Sequence, residues 1–359
     1  MPDCDPLPMR FEDIYVAGIS CHLPDPTPMS DAEQAGLCAH KDVWRTGIES
    51  VCIAEEAAPE MAAEAARKAL HEASIDPADI DLILHASVYY QGHDLWSAAS
   101  YVQREAIGND CPAVEVRQQS NGGMAAMELA AAYLAAGPAG RSALVTTGDR
   151  FCPPGFDRWR TDPGTICGDG GTALVLMRGR SGRQRAAGTC AGNGAGVARL
   201  HSLASVSDAG LEQIGRGTEP FADAPLSAGA PINAEKPRAQ AVSKLGFTEV
   251  LERLQAGQVR AVDTALAEAG TERDQIDWFV LPNLGLPKLK VQFFEPLGID
   301  LERTTWDWGR RIGHLGAGDQ IAGLDELVRS GRLGPGERCL LAGVGIGFTW
   351  SAAVLERVG

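Results

Sequence analysis

A serine, a histidine and an aspartate stand in this chain where a nucleophile, its base and the base's orienting acceptor would be needed. Ser120 lies in Val114-Glu115-Val116-Arg117-Gln118-Gln119-Ser120-Asn121-Gly122-Gly123, where a short strand-like run feeds a turn and the turn feeds an apolar helix. That places the hydroxyl at a helix N-terminus, where free backbone N–H groups and the macrodipole favour developing negative charge. Gly122 and Gly123 would let a ligand approach the backbone closely. His314 and Asp319 share Gly313-His314-Leu315-Gly316-Ala317-Gly318-Asp319, directly before another helix. Serine is a poor nucleophile at its free pKa, so it needs an adjacent base, and the base needs an acceptor to hold its ring. Each residue also has a plain structural reading: Ser120 as an N-cap, Asp319 as the cap of its own helix, and His314 as a loop filler. Gly343-Val344-Gly345-Ile346-Gly347-Phe348-Thr349-Trp350 is a Gly-rich turn between apolar runs, suited to presenting a backbone N–H to an oxyanion. It is no dinucleotide fingerprint, because a strand-like run follows it and no acidic residue stands at the required distance.

The elements that must position these residues occur twice. Ala69-Leu70-His71-Glu72-Ala73, six residues, then Ile80-Asp81 returns as Ala265-Leu266-Ala267-Glu268-Ala269, six residues, then Ile276-Asp277. Both copies read as an amphipathic helix, a short acidic loop and a buried strand. Ser120 follows Asp81 by 39 residues and His314 follows Asp277 by 37, so nucleophile and base fall at nearly equivalent places in two related halves. The first half, residues 1–180, is expected to run from a frayed start (1–10) through strand 11–19, helix 58–74, strand 81–87, strand 114–116, buried helix 124–136 and strands 143–147 and 171–177. The second, residues 181–359, is expected to begin with a strand near 199–207 and a long Gly- and Pro-rich excursion to about Ala241, lying over the active-site mouth and forming no domain of its own. Helix 259–268, strand 278–281, helix 320–330 and strands 338–344 and 350–355 complete it. Alternating strands and helices argue for parallel-rich sheets covered by helices. Gly192-Asn193-Gly194-Ala195-Gly196 reads as a flexible loop.

Composition narrows the function classes. A chain of 359 residues with 45% hydrophobic content fits an α/β enzyme with a sizeable core. A net charge of −15 argues against nucleic acid or an anionic membrane as the main partner. No apolar run reaches a membrane span and no signal peptide is visible. Nine cysteines without CxxC or paired Cys/His spacing point to reduced thiols in a cytoplasm, with no zinc site and no metal. Trp44 and Arg45 set an aromatic beside a cation, which suits a nucleotide or serves as an ordinary surface turn. Tyr89, Tyr90, His93 and Trp96 form a polar aromatic cluster that lines a pocket or packs in part in the core.

Taken together, the motifs resemble the β-ketoacyl-acyl-carrier-protein synthase III family of the thiolase superfamily, over nearly the whole chain. Arg45-Thr46-Gly47-Ile48 is similar to the family's RTGI segment near the coenzyme A entrance. Gly164-Thr165-Ile166 with Gly168-Asp169-Gly170-Gly171-Thr172-Ala173 is similar to its GTI…GDGAGA stretch, and Gly347-Phe348-Thr349-Trp350 to its GFTWG. The resemblance implies a thiolase-like fold of two pseudo-symmetric α/β halves layered αβαβα, a homodimer, and no bound cofactor. It puts Ser120 at the position of the nucleophilic cysteine and makes the N–H groups of Ser120 and Ile346 the oxyanion hole.

The departures from the family pattern set the expected reaction. Serine replaces cysteine. The segment that carries a histidine in the family reads Leu281-Pro282-Asn283-Leu284-Gly285, and His314 stands where an asparagine is expected. Decarboxylative condensation wants two donors on a malonyl thioester carbonyl. Asn283 and His314 could supply them in swapped order, but Asp319 makes His314 a base. The pattern resembles the synthase-III-like acyltransferases of polyketide and antibiotic biosynthesis. These use a nucleophile–His–Asp triad and form no C–C bond. The expectation is acyl transfer from an acyl-carrier protein or coenzyme A thioester, through acyl-Ser120, to a hydroxyl or thiol on a small molecule or carrier. Asn283 is a candidate supporting residue. The alternatives are a starter-selecting synthase that condenses with malonyl, or a weakly catalytic accessory subunit. Lys288 and Lys290 offer cations for an acidic carrier, or form a solvated helix face.

Overall fold

Nine strands form one mixed sheet in the computed structural model, which describes residues 9–179 and 196–359. In chain order they are β1 (Met9–His22), β2 (Ile80–Ala86), β3 (Ala113–Val116), β4 (Ser142–Asp149), β5 (Gly170–Arg178), β6 (Ala198–Ser207), β7 (Trp278–Val280), β8 (Arg338–Gly345) and β9 (Thr349–Arg357). The principal helices are α1 (Ala58–Ala73), α2 (Gly122–Ala136), α3 (Glu235–Leu245), α4 (Phe247–Ala269) and α5 (Asp319–Arg329). The spatial order is β3-β2-β4-β5-β1-β6-β9-β8-β7. With β3 set aside it is palindromic: β2, β4, β5 and β1 of the first half match β7, β8, β9 and β6 of the second. A lone parallel bridge between Phe279 and Thr304 stands where a partner of β3 would lie.

Both copies of the repeat close in the same way. α1 stops on Ser74 (φ 51°) and α4 on Gly270 (φ 64°). Each left-handed stop sends two N–H groups back to the last turn: Ser74 to His71 O and Ile75 to Leu70 O, then Gly270 to Ala267 O and Thr271 to Leu266 O. Asp81 then accepts the N–H of Ser142, the first residue of β4, at 3.0 Å, and Asp277 accepts that of Arg338, the first residue of β8, at 2.8 Å. The repeated acidic residue thus aligns the next strand in each half.

Alternation along the strands builds the layers. In β4, Ala143 and Val145 face one core cluster and Leu144 another; in β8, Cys339 and Leu341 face the first cluster and Leu340 and Ala342 a third. The shared cluster is the middle layer, filled by Met124, Met127 and Leu134 of α2 and Ile321, Leu324 and Leu327 of α5. α1 covers the outer face of the first half and α4 that of the second. The two arms of the one sheet enclose that middle layer, so the stack reads helix, sheet arm, helices, sheet arm, helix, the αβαβα thiolase-like arrangement expected. An apolar α2 is expected to be buried all round; its N-terminal turns are, but Leu129 and Tyr133 farther along it are exposed.

The differences from expectation have local causes. Parallel pairing is confined to β2 with β3 and β4, and β7 with β8; the five central pairings are antiparallel. β4–β5 and β8–β9 are joined without a covering helix, so the chain doubles back beside itself. Strand β1 starts at Met9, inside the stretch expected to be frayed. α3 forms within the expected excursion, and α4 begins at Phe247, not Val259. Only Ala241 of α3 is buried, so no apolar period announces that helix. The described part of the excursion folds no separate unit. Ile232 N–H bonds Gly155 O, Ala234 N–H bonds Thr161 O, and Gly215 lies against Ile346 Cγ2. Of the Gly192–Gly196 loop, all but Gly196 lies outside the described residues. No described helix is long and apolar enough to cross a membrane.

Candidate active site

Equivalent turns of the two halves meet at the N-terminal ends of α2 and α5. Gln119, in a left-handed conformation (φ 50°), turns the chain sharply into a 3-10 turn that carries Ser120, and α2 starts two residues later. The side chain of Ser120 caps nothing. Its Oγ lies 2.8 Å from Nε2 of His314. Gly122 and Gly123 admit the opposite half, not a ligand: a Cβ on Gly123 would come within 2.4 Å of Ala317 O, and one on Gly122 within 3.2 Å of Ala317 Cβ. These two glycines let the nucleophile turn and the histidine loop touch.

His314 is buried and held at both ends. Its backbone forms a parallel bridge with the GTI segment, N–H to Ile166 O at 2.8 Å and C=O from Gly168 N–H at 2.9 Å. Its Nδ1 lies 2.5 Å from Asp319 Oδ2. Asp319 is not a helix cap either, because its carboxylate turns backwards, Oδ1 accepting Leu315 N–H at 2.8 Å and Oδ2 accepting Asn283 N–H at 2.8 Å. Three donors on one buried carboxylate fix it as the acceptor, so Nδ1 carries hydrogen and Nε2 presents its lone pair to Ser120. Burial pushes the imidazolium of His314 down, but the charge and hydrogen bond of Asp319 outweigh that and hold its pKa above the ordinary value, with Asp162 and Asp149 adding to the effect.

Asn283 supports this arrangement from behind. Its backbone N–H holds Asp319, and its Nδ2 donates one hydrogen to Gly313 O at 3.0 Å, which ties the side chain to the loop that carries His314. Ile346 sits in the turn between β8 and β9, and Gly345 before it packs on the Ser120 turn: a Cβ there would come within 2.3 Å of Gln118 O. Two carboxylates brace the surrounding loops. Asp149, at the end of β4, accepts the N–H groups of Val88, Tyr89 and Ala317, and burial raises its carboxyl to about 7 against those bonds. Asp169 grips Arg158 through both oxygens at 2.9 and 2.8 Å, and accepts Phe151 and Ala54 N–H. Sequence reasoning missed Asp149 and Arg158. A carboxylate ending an otherwise uncharged strand was the available signal for Asp149.

The remaining candidate residues divide. Trp44 and Arg45 are exposed, with the Arg45 guanidinium 5.0 Å from the Trp44 ring centroid and the His40 ring stacked on Trp44 at 6.3 Å between centroids. Thr46 is buried beside them and accepts Leu286 N–H at 2.7 Å, while Gly285 N–H bonds Gly164 O, so the RTGI, GTI and Asn283 segments converge. Lys288 corrects an expectation: its ammonium does not stand on a solvated face. It is tied inside to Asp162 Oδ2 at 2.8 Å and Thr165 Oγ1 at 2.7 Å, with Arg238 on the other Asp162 oxygen. Burial lowers its pKa and Asp162 opposes the fall. Lys290, two residues on, is exposed. Tyr89 packs with Phe151 and Phe156, whereas Tyr90 and Trp96 are exposed. A cavity of about 290 Å³ opens beside Gly47, Leu286, Trp306 and Arg310, and none of the triad lines it. Cys167 is the cysteine bridged to the His314 backbone, and burial raises its thiol well above the usual range, which makes it a poor rival nucleophile.

Comparison with known proteins gives three matched segments. A thiolase N-terminal domain model matches residues 42–148, a 3-oxoacyl-[acyl-carrier-protein] synthase III model residues 114–198, and its C-terminal model residues 266–357. The β-ketoacyl-[acyl-carrier-protein] synthase III of Shigella flexneri serotype 5b is 30% identical over 356 residues, 95% of this chain and 98% of its own. That of Thermosynechococcus vestitus is 28% identical over 365 residues, 97% of this chain and 99% of its own. Among solved structures, ChlB3, named an acyltransferase, is similar at TM-score 0.88 and 36% identity, over 97% of this chain and 98% of its own. Cerulenin-bound OleA of Xanthomonas campestris, at TM-score 0.73 and 20% identity, shares the fold.

Proposed function

This chain belongs to the β-ketoacyl-acyl-carrier-protein synthase III family, and from that premise we propose that it is an acyltransferase working through an acyl-Ser120 ester, without decarboxylative condensation. The observation that carries the reading is the continuous line Ser120 Oγ, His314 Nε2, His314 Nδ1, Asp319 Oδ2, at 2.8 and 2.5 Å. His314 takes the Ser120 proton as Oγ attacks the thioester carbonyl. The new C–O bond leaves an oxyanion facing the N–H groups of Ser120 and Ile346. Collapse breaks the C–S bond, and His314 returns the proton to the departing thiolate. The acceptor hydroxyl or thiol then gives its proton to His314 and attacks the ester, and Ser120 regains its hydrogen as the acyl group leaves.

Condensation would need two free donors on a malonyl carbonyl. Here Asp319 holds the hydrogen of His314 on Nδ1, so Nε2 faces Ser120 as an acceptor and not as a donor, and Asn283 Nδ2 gives one of its two hydrogens to Gly313 O. The 36% identical ChlB3, named an acyltransferase, supports the same side. Donors would be an acyl-carrier protein, which the relatives' names carry, or acyl-coenzyme A, which the family resemblance implies, with Trp44 and Arg45 and the exposed Lys290 as surface contacts, in a secondary-metabolite pathway. The second reading, a condensing synthase, is favoured by the names of the 28–30% identical relatives. Intact-protein mass spectrometry with a panel of acyl thioesters, followed by peptide mapping, separates them. The expected result is an added acyl mass on Ser120 that an acceptor alcohol or thiol discharges. Carbon dioxide and a β-keto product from a malonyl donor, or a label on cysteine with Ser120 bare, would overturn the proposal.

A homodimer fits the open edge of the sheet. β3 is the terminal strand, and Val114 on it is exposed, as are Leu95, Trp96, Leu129 and Tyr133 on neighbouring elements. An unpaired apolar edge is a template for a second copy. Light scattering should give twice the 37.9 kDa chain mass, and Val114→Lys should move it towards one chain. A monomeric unaltered protein would refute this.

A further inference from the structure

Glu128 is the only charged residue of α2, and no step of acyl transfer uses it. It accepts the hydroxyl hydrogen of Ser205 of β6 at 2.5 Å. Ser205 Oγ lies 2.6 Å from Ser351 Oγ of β9, and Ser351 Oγ accepts Asn121 Nδ2 at 2.7 Å. Asn121 is the residue after the nucleophile. It is fully buried, and Nδ2 gives its other hydrogen to Gln118 Oε1 at 2.6 Å. From these contacts we infer that Glu128 is a positioning residue, which sets the nucleophile turn against the oxyanion turn through the chain Ser205, Ser351, Asn121. This rests on Ser120 being the acylated residue.

Donor bookkeeping gives the chain one direction. An amide nitrogen only donates, and each serine has a single hydrogen. Ser205 gives its one hydrogen to the Glu128 carboxylate, so the hydrogen between the two serines must come from Ser351, which in turn accepts from Asn121. The carboxylate ends the run, and hydroxyls in such a run polarise one another. The arrangement leaves Asn121 Oδ1 buried without a hydrogen-bond partner, facing Gly343 of β8, where a Cβ would come within 2.5 Å of it. An orphaned buried carbonyl is costly, so the amide is held this way round by its donors. What it holds is the seam of the site. A Cβ on Gly345 would lie 3.0 Å from Asn121 Cβ, so the strand that leads to Ile346 rests on Asn121 itself. A lone carboxylate in an apolar helix was the sequence signal.

Glu128→Leu removes the final acceptor, Ser205→Ala breaks the chain one link on, and Glu128→Gln keeps an acceptor oxygen. Leu and Ala should each slow single-turnover acylation of Ser120 by about ten- to a hundredfold, the scale of a small misplacement at a reacting centre. Donor affinity should hold, the double variant should be no slower than either single one, and Gln should stay close to the unaltered protein. Should Glu128→Leu fail to fold, Ser205→Ala with Ser351→Ala carries the same comparison. Unslowed Ser205→Ala, a Gln variant as slow as Leu, additive losses, or a loss confined to donor KM would each overturn the inference. No acyl mass on Ser120 in the unaltered protein would sink the acyl-serine reading and this inference with it; indifferent variants on a labelled Ser120 sink this inference alone.

Discussion

His314→Ala should abolish acylation of Ser120, with a loss of about a millionfold in turnover, the scale seen when one member of a cooperating serine–histidine pair is removed. Nε2 of His314 is the base within 2.8 Å of the hydroxyl. No neighbouring carboxylate can replace it, because with the ring gone Asp319 is still held by the Asn283 and Leu315 N–H groups, on the far side of the vacated ring from Ser120, and Asp149 is occupied by backbone N–H groups. Ser120→Ala should lose as much, and the double variant no more, since the two act as a unit. Asn283→Ala should lose far less, because the backbone N–H that holds Asp319 survives the substitution and only the bond to Gly313 O goes. Rapid-quench mass spectrometry with a competent acyl thioester reads all four. Acylation of His314→Ala at a rate near that of the unaltered protein would mean another group takes the proton. An Asn283→Ala variant as dead as His314→Ala, with carbon dioxide released from a malonyl donor, would return the chain to condensation.

The site was legible where chemistry and periodicity coincide. The repeated Ala-Leu-x-Glu-Ala…Ile-Asp stretch locates two equivalent helix N-termini, and a two-fold fold must bring them together, so Ser120 and His314 could be paired across 194 residues. Residue type then separated base from acceptor. Contacts made by backbone were illegible: the hold of Asn283 N–H on Asp319 does not depend on the side chain of Asn283, and the bridge of Cys167 to His314 depends on no side chain at all. Gly122 and Gly123 were read for the right property, close approach, and assigned the wrong visitor, since the sequence cannot tell a ligand from the other half of the same chain. Lys288 shows the converse. A lysine beside a helix start looks like a solvated cation until Asp162 and Arg238, 126 and 50 residues away, close around it. The excursion concealed α3 because a helix that buries one alanine has no apolar face to betray it.

Asp319→Asn should leave donor binding intact and slow turnover by about 10⁴-fold, the loss that follows when a triad histidine is left in the wrong tautomer. The geometry says why no amide can stand in. Asp319 accepts from Leu315 N–H through Oδ1, and from Asn283 N–H and His314 Nδ1 through Oδ2. An asparagine has one acceptor oxygen. Kept on the Oδ2 side, it turns its NH₂ onto the Leu315 N–H. Flipped, it presents NH₂ to Nδ1, which must then accept, and the ring hydrogen moves to Nε2, where it blocks uptake of the Ser120 proton. The pH profile should change with the rate. Asp319 is what holds His314 above its ordinary value against the effect of burial, and the base works only when neutral, so the unaltered protein should lose acylation as pH falls through that raised value. With the charge gone, burial prevails and the acid limb of the residual activity should move to lower pH. A silent Asp319→Asn, or a slowed one whose acid limb stays where it was, would show that His314 is not the group whose protonation governs acylation.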